Sequence, residues 1–168
     1  MNRITLILGL ITCLFISCQE NKQDEIAELV SLVDQLKADQ NHEILLTLKP
    51  FANDIRQIFE GEIAVARVTA YCNLKWGEPD KIPRNTLKPL TEDAELKILV
   101  VSKSELQQGT TNGFPREYMV LANHLQEETK LYAIQYLNQD GTEQKMRSAL
   151  FKPADKWVMI PLTYMAFD

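Results

Sequence analysis

Near residue 90 the spacing of apolar residues changes from about 3.6 to about 2. That change dictates a chain with helices first and a sheet afterwards. Before it, Ile26, Leu29, Val30, Val33 and Leu36 recur at three- and four-residue steps. Glu25, Glu28, Asp34, Lys37 and Asp39 fill the positions between, which predicts an amphipathic helix from Asp24 to about Gln40. Asn41 is the expected cap of a second segment, Glu43 to Lys49. Pro50 reads as a helix start, because Phe51, Ile55, Ile58 and Phe59 then share a face. Gly61 either ends that helix or caps the next, which runs from Glu62 to about Trp76 with Val65, Val68, Cys72 and Trp76 as its buried stripe.

Gly77, Pro79, Pro83 and Pro89 crowd too many breakers into residues 77–89 for a regular element, so this stretch joins the two halves. Beyond it, Leu96 to Val101 is apolar apart from Lys97 and reads as a central strand covered on both faces. One helical turn is expected at Ser104 to Gln107, and a short helix carries Tyr118, Leu121, Ala122 and Leu125. Leu131–Leu137, Glu143–Phe151 and Lys156–Ile160, separated by Asp140-Gly141 and Pro153-Ala154-Asp155, read as an antiparallel meander. The expected fold class is α+β, with N-terminal helices packed in two layers on a C-terminal antiparallel sheet of about four strands. The apolar tail Leu162–Phe167 is expected to dock on that sheet.

The first 18 residues have a different logic. Arg3 gives a positive start, Ile4 to Phe15 is an apolar run too short for the roughly 20 residues that span a bilayer, and Phe15-Ile16-Ser17-Cys18 comes next. These four residues resemble the lipobox of bacterial lipoproteins, with Ser17 as the small residue and Cys18 as the acceptor of diacylglycerol. Thr12 before Cys13 suits that role less well. The resemblance implies a signal peptide over 1–17, a lipidated cysteine and tether over 18–24, and one domain over 25–168. It also implies a membrane partner reached through lipid on Cys18. Gln19 at the second position, rather than aspartate, points to the outer membrane, on its periplasmic face or at the cell surface.

Composition narrows the partners. The 168-residue chain carries 18 Lys and Arg against 23 Asp and Glu, and loss of the leader removes Arg3, moving the formal charge from −5 to −6. Without a basic stripe this excludes nucleic acid as an expected partner. Cys13 leaves with the leader and Cys18 is acylated, so Cys72 lacks a disulfide partner and reads as a small buried hydrophobe.

Signatures of chemistry are absent from the sequence. His42 and His124 belong to no zinc-type cluster, and no metal or cofactor is expected. Asn138, Asp140 and Thr142 imitate a calcium loop, but Gly141 comes two places too early and position twelve is Ala149. Residues 109–113 lack the Lys-Ser or Lys-Thr of a phosphate loop, and Gly-x-Ser-x-Gly does not occur. Glu92, Asp93 and Glu95, or Glu127 and Glu128, read as solvated rims. Arg84, Arg116 and Arg147 either meet an anionic ligand or balance the acidic surface.

Tyr71, Trp76, Tyr132, Tyr136 and Trp157, with Tyr118, are the candidate lining of a pocket between the Glu62–Trp76 helix and the sheet; the competing reading makes them core. The order of elements over residues 43–168 is similar to the nuclear-transport-factor-like and, less closely, cystatin-like folds, which implies a ligand site inside a cone. Such a fold does not give function, and two functions are expected: a non-catalytic module binding an envelope protein or a small apolar ligand, or an envelope hydrolase or isomerase whose residues meet only in three dimensions.

Overall fold

A computed structural model describes residues 23–83, 86–144 and 148–168. The leader, Cys18, Arg84, Lys145, Met146 and Arg147 lie outside the described residues. The architecture is α+β, helices preceding a four-stranded antiparallel sheet. Helix α1, through residues 23–38, buries Leu29, Val33 and Leu36 of the expected stripe, while Ile26 is half-buried and Val30 is exposed. Asp39, not Asn41, caps the segment after α1. Its carboxylate accepts the N–H groups of Glu43 at 2.9 Å, Ile44 at 2.9 Å and Leu45 at 3.0 Å. Partial burial pushes that carboxyl upward, but the three N–H groups win and hold it below the usual aspartate range.

Short helices α2 (Glu43–Thr47) and α3 (Ala52–Ile58) come next. Pro50 stands just ahead of α3, whose start is fixed by the Phe51 N–H on the Asp54 carboxylate at 2.8 Å. Helix α4 is Glu62–Trp76, as predicted, and Gly61 at φ 80° belongs to it as a cap rather than to α3 as a stop. Cys72 is buried in α4, and burial pushes its thiol up to about 12, the state of an inert side chain.

The sheet corrects one expectation. Its strands, β1 (Glu95–Ser102), β2 (Lys130–Leu137), β3 (Ala149–Phe151) and β4 (Val158–Ile160), stand in the order β1-β2-β3-β4. The stretch Leu96–Val101 is therefore an edge strand, not the central one. Leu99 and Val101 are buried on one face and Leu96, Ile98 and Val100 half-covered on the other, so its composition resembles a buried strand without the position of one. Helix α5 (Lys103–Gln107) and the loop after it close part of the edge. The Ser102 N–H donates to Glu105 at 2.8 Å, and Asn112 Nδ2 donates to the Val100 carbonyl at 3.0 Å. The Leu131–Tyr136 stretch of β2 is buried on both faces and is the centre.

A second correction concerns the layers. Tyr132 on one face of β2 meets Glu25 of α1, while Phe151, on the opposite face, packs on Phe59 after α3 with ring centroids 5.9 Å apart. The sheet is thus covered from both sides. Of the predicted strand Glu143–Phe151, Ala149–Phe151 is strand and Glu143 makes a single bridge to Leu137.

The Tyr118 segment is a 3-10 helix, Arg116–Asn123, instead of an α-helix. Pro115 opens it, and by Leu125 the chain is bridged to Phe59, which draws the segment out. The tail does not dock on the sheet. Thr163–Ala166 forms a 3-10 turn that places Tyr164 edge-on to Tyr118 at 5.0 Å, and Phe167 stacks on His124 at 4.2 Å with ring planes 4° apart. Tail rings meet helix-side rings, which offer flat partners that β4 lacks. No described helix is long and apolar enough to cross a membrane.

Candidate ligand cleft

Helix α4 ends where the chain must turn sharply. A Cβ at Gly77 would stand 2.7 Å from the Asn73 carbonyl oxygen, so only glycine passes there without displacement. A 3-10 turn, Pro79–Lys81, then leads to Leu87, and a cleft of about 650 Å³ remains between the end of α4, this connection, β4 and the Pro161-Leu162 turn. Its apolar wall is Leu74, Trp76, Ile82, Pro83, Leu87, Met159, Pro161 and Leu162; Thr86 and Ser148 add hydroxyls, and Lys75, Glu78 and Lys81 stand at the rim.

Three predicted aromatic residues act here, mainly as struts. The buried Tyr136 hydroxyl donates to the Leu87 carbonyl at 3.0 Å. Tyr71 donates to the Pro161 carbonyl at 2.7 Å, with the Leu162 carbonyl at 3.3 Å. The Trp76 indole N–H donates to the Met159 carbonyl at 3.3 Å. Every one of these acceptors belongs to a residue that lines the cleft. Desolvation pushes the Tyr71 phenol up to about 12, so it remains a donor across the physiological range.

The backbone that these struts hold is strained. Leu87 at φ 61° and Leu162 at φ 47° occupy the left-handed region, which costs a bulky L-residue roughly 1–3 kcal/mol. Both are cleft walls, and both carbonyls are among those the tyrosines hold. These leucines are the residues sequence reasoning missed. Nothing local to Thr86-Leu87-Lys88 or Pro161-Leu162-Thr163 distinguishes a left-handed leucine, and the side chains that hold their carbonyls, Tyr136 and Tyr71, lie far along the chain.

The five aromatic residues do not line one pocket, which corrects the expectation. Trp76 borders the cleft, Tyr71 and Tyr136 brace it from behind, and Tyr132 and Trp157 lie elsewhere, edge-to-face at 4.9 Å. Tyr132 borders a smaller, polar cavity of about 210 Å³ with Glu25, Lys130 and Lys152. There the Glu25 carboxylate accepts from the Tyr132 hydroxyl and from Lys130 Nζ at 2.8 Å. Lys152 pairs with Glu28 and lies 5.7 Å over the Trp157 ring. Burial raises the Glu25 carboxyl, but the two hydrogen bonds and the charges of Lys130 and Lys152 hold it below the usual range. Burial first, and then the hydrogen bond and charge of Glu25, push the Tyr132 phenol far up.

Other sequence candidates separate. His124, half-buried on Phe167, shares a surface cleft with Glu60 and Arg67; burial first, and the Arg67 charge second, hold its imidazole below the usual range. Glu127 pairs with Lys103 at 2.9 Å, and Glu60 reaches the same ammonium at 3.4 Å. Asp140 closes a turn by accepting from the Thr142 N–H at 2.9 Å, with Gly141 at φ 78°. Among the described residues no group of His, Cys, Asp and Glu is placed to hold a metal ion. Neither histidine borders the large cleft, and of its rim charges Lys81 is paired with Glu78. The cleft thus combines an apolar wall with two hydroxyls and a charged rim. Comparison of the chain with protein-family models, with curated proteins and with solved structures finds no match, so the likeness to nuclear-transport-factor-like folds rests on element order alone.

Proposed function

We propose that the chain is an outer-membrane lipoprotein, anchored through diacylglycerol on Cys18, whose domain is a non-catalytic binding module for a small apolar ligand. The observation that carries the binding reading is an apolar-walled cleft of about 650 Å³ whose backbone, left-handed at Leu87 and Leu162, is held by the buried Tyr136 and the half-buried Tyr71. That volume falls within the roughly 300–1,000 Å³ of small-molecule sites. Backbone strain of this kind clusters at ligand sites, and Leu162, 37% exposed, presents its side chain to the cleft. The anchor reading rests on the apolar run and Ser17-Cys18.

Two experiments test the two halves. Metabolic labelling with a palmitate analogue labels the wild-type chain and not Cys18→Ala; label retained by the variant refutes the anchor. N-phenyl-1-naphthylamine, a neutral apolar dye, brightens on binding the wild-type chain, and Thr86→Phe, which fills the cleft from its half-exposed rim, abolishes the signal. Undiminished dye binding in a folded Thr86→Phe chain refutes the cleft as the site.

A further inference from the structure

We infer that the cleft takes a single-chain amphiphile with an anionic end, such as a long-chain carboxylate, its apolar body against Leu74, Ile82 and Leu162 and its charge at Lys75. The inference rests on the cleft being the binding site and goes on to name the chemistry of the ligand.

Polarity within the cleft is asymmetric. The β4 and tail side, with Met159, Pro161 and Leu162, is apolar, whereas the end of α4 and the turn after it bring Lys75, Glu78 and Lys81 to the rim. A uniformly apolar ligand would leave that rim idle. A ligand with a charged end uses both. Leu74, 75% exposed, and Leu162, 37% exposed, flank the mouth with apolar surface that an entering chain would cover.

The sign of the head group is set by the rim. Lys81 and Glu78 already neutralise one another. Lys75 has no carboxylate partner among the described residues; its ammonium lies 5.2 Å over the Tyr71 ring, the same tyrosine that holds Pro161. The last turn of α4 contributes roughly half a negative charge at its carbonyls, which the full charge of Lys75 outweighs. Asp80 in the same turn and Asp168, whose charge reaches Tyr71, balance much of the positive charge around the mouth, so the preference for an anionic end rests on Lys75, the rim cation without an ion-pair partner among the described residues.

The test uses the chain carrying Cys18→Ala, which leaves its own lipid out of the assay. Dodecanoate, dodecanol and dodecyltrimethylammonium, each below its micelle concentration, are titrated by calorimetry and by displacement of N-phenyl-1-naphthylamine. Dodecanoate is expected to bind about tenfold more tightly than dodecyltrimethylammonium, with dodecanol between. Lys75→Gln should weaken dodecanoate about fivefold and leave dodecanol unchanged, the size of one solvent-exposed ion pair. Equal affinity for all three, or a preference for the cation, overturns the anionic assignment while leaving the cleft in place. If none displaces the dye, or dodecanoate binds a folded Thr86→Phe variant as well as wild type, the cleft itself is refuted.

Discussion

Two clefts in this domain are built from the same kinds of residue and end in opposite states. In the smaller one, Tyr132 donates to Glu25 and Lys130 completes the carboxylate's partners, while Trp157 packs edge-on to Tyr132 with its own buried N–H unpaired among the described residues. In the larger one, Tyr71, Trp76 and Tyr136 direct their hydrogens to backbone carbonyls in the wall, and apolar surface stays open in front of them. The contrast shows that where an aromatic side chain sends its one polar atom decides whether it fills a space or frames it.

Truncating the tryptophans separates the two clefts most strongly. Trp76 is buried and joins α4 to β4, so Trp76→Ala should cost about 3–5 kcal/mol in urea unfolding. Trp157 is half-buried, and Trp157→Ala should cost less than half as much. Equal losses would mean that Trp76 has no special place in the wall.

Removing single hydroxyls sharpens the difference between a strut and a plug. Tyr136→Phe leaves the buried Leu87 carbonyl without its donor, a loss of about 1–3 kcal/mol that should also weaken dye binding as the wall relaxes. Tyr132→Phe leaves Glu25 its Lys130 partner, and should cost about 1 kcal/mol without changing dye binding. Dye binding that responds to Tyr132 and not to Tyr136 would reverse the assignment.

Acid should affect the smaller cleft first. The Glu25 carboxyl is held below its ordinary value in the folded chain, so its stabilisation is complete above the unfolded-state pKa and disappears as pH falls through the folded one. Thermal melts from pH 7 to pH 3 should therefore fall less steeply for Glu25→Gln than for wild type, while Lys75→Gln keeps the wild-type slope. An unchanged slope in Glu25→Gln would show that its contacts contribute nothing in solution. Asp39, with three N–H donors, has the same sign and contributes to the remaining acid sensitivity.

Sequence patterning reached the α+β order, the limits of α4 and the meander because each is written in local periodicity. It failed where the deciding partner is remote. Leu96–Val101 has the composition of a central strand, and only the pairing of β2 with β1 on one side and β3 on the other makes it an edge. Asn41 has the chemistry of a cap, yet Asp39, two residues earlier, is placed by the end of α1 to reach three N–H groups. Of the five aromatic residues singled out as a pocket lining, Trp76 borders the cleft, and Tyr71 and Tyr136 stand behind its wall. Their role as braces depends on Leu87 and Leu162, whose backbone no local pattern announces.

Those two leucines permit the finest test, because relief of strain and loss of contact oppose each other. Asparagine accepts a left-handed backbone more readily than leucine, so Leu162→Asn recovers part of the roughly 1–2 kcal/mol cost of that conformation. At 37% exposure the leucine side chain surrenders only part of the roughly 1.5–3 kcal/mol that full burial contributes, and the two terms should cancel to within about 1 kcal/mol. Leu87 is fully buried, and the same change there adds an amide to the interior, so Leu87→Asn should be destabilising by several times as much. Chemical denaturation of both variants reads the difference. If Leu162→Asn proves as damaging as Leu87→Asn, Leu162 is core; if it is neutral to folding and still weakens dye binding, its backbone is strained in order to present a surface.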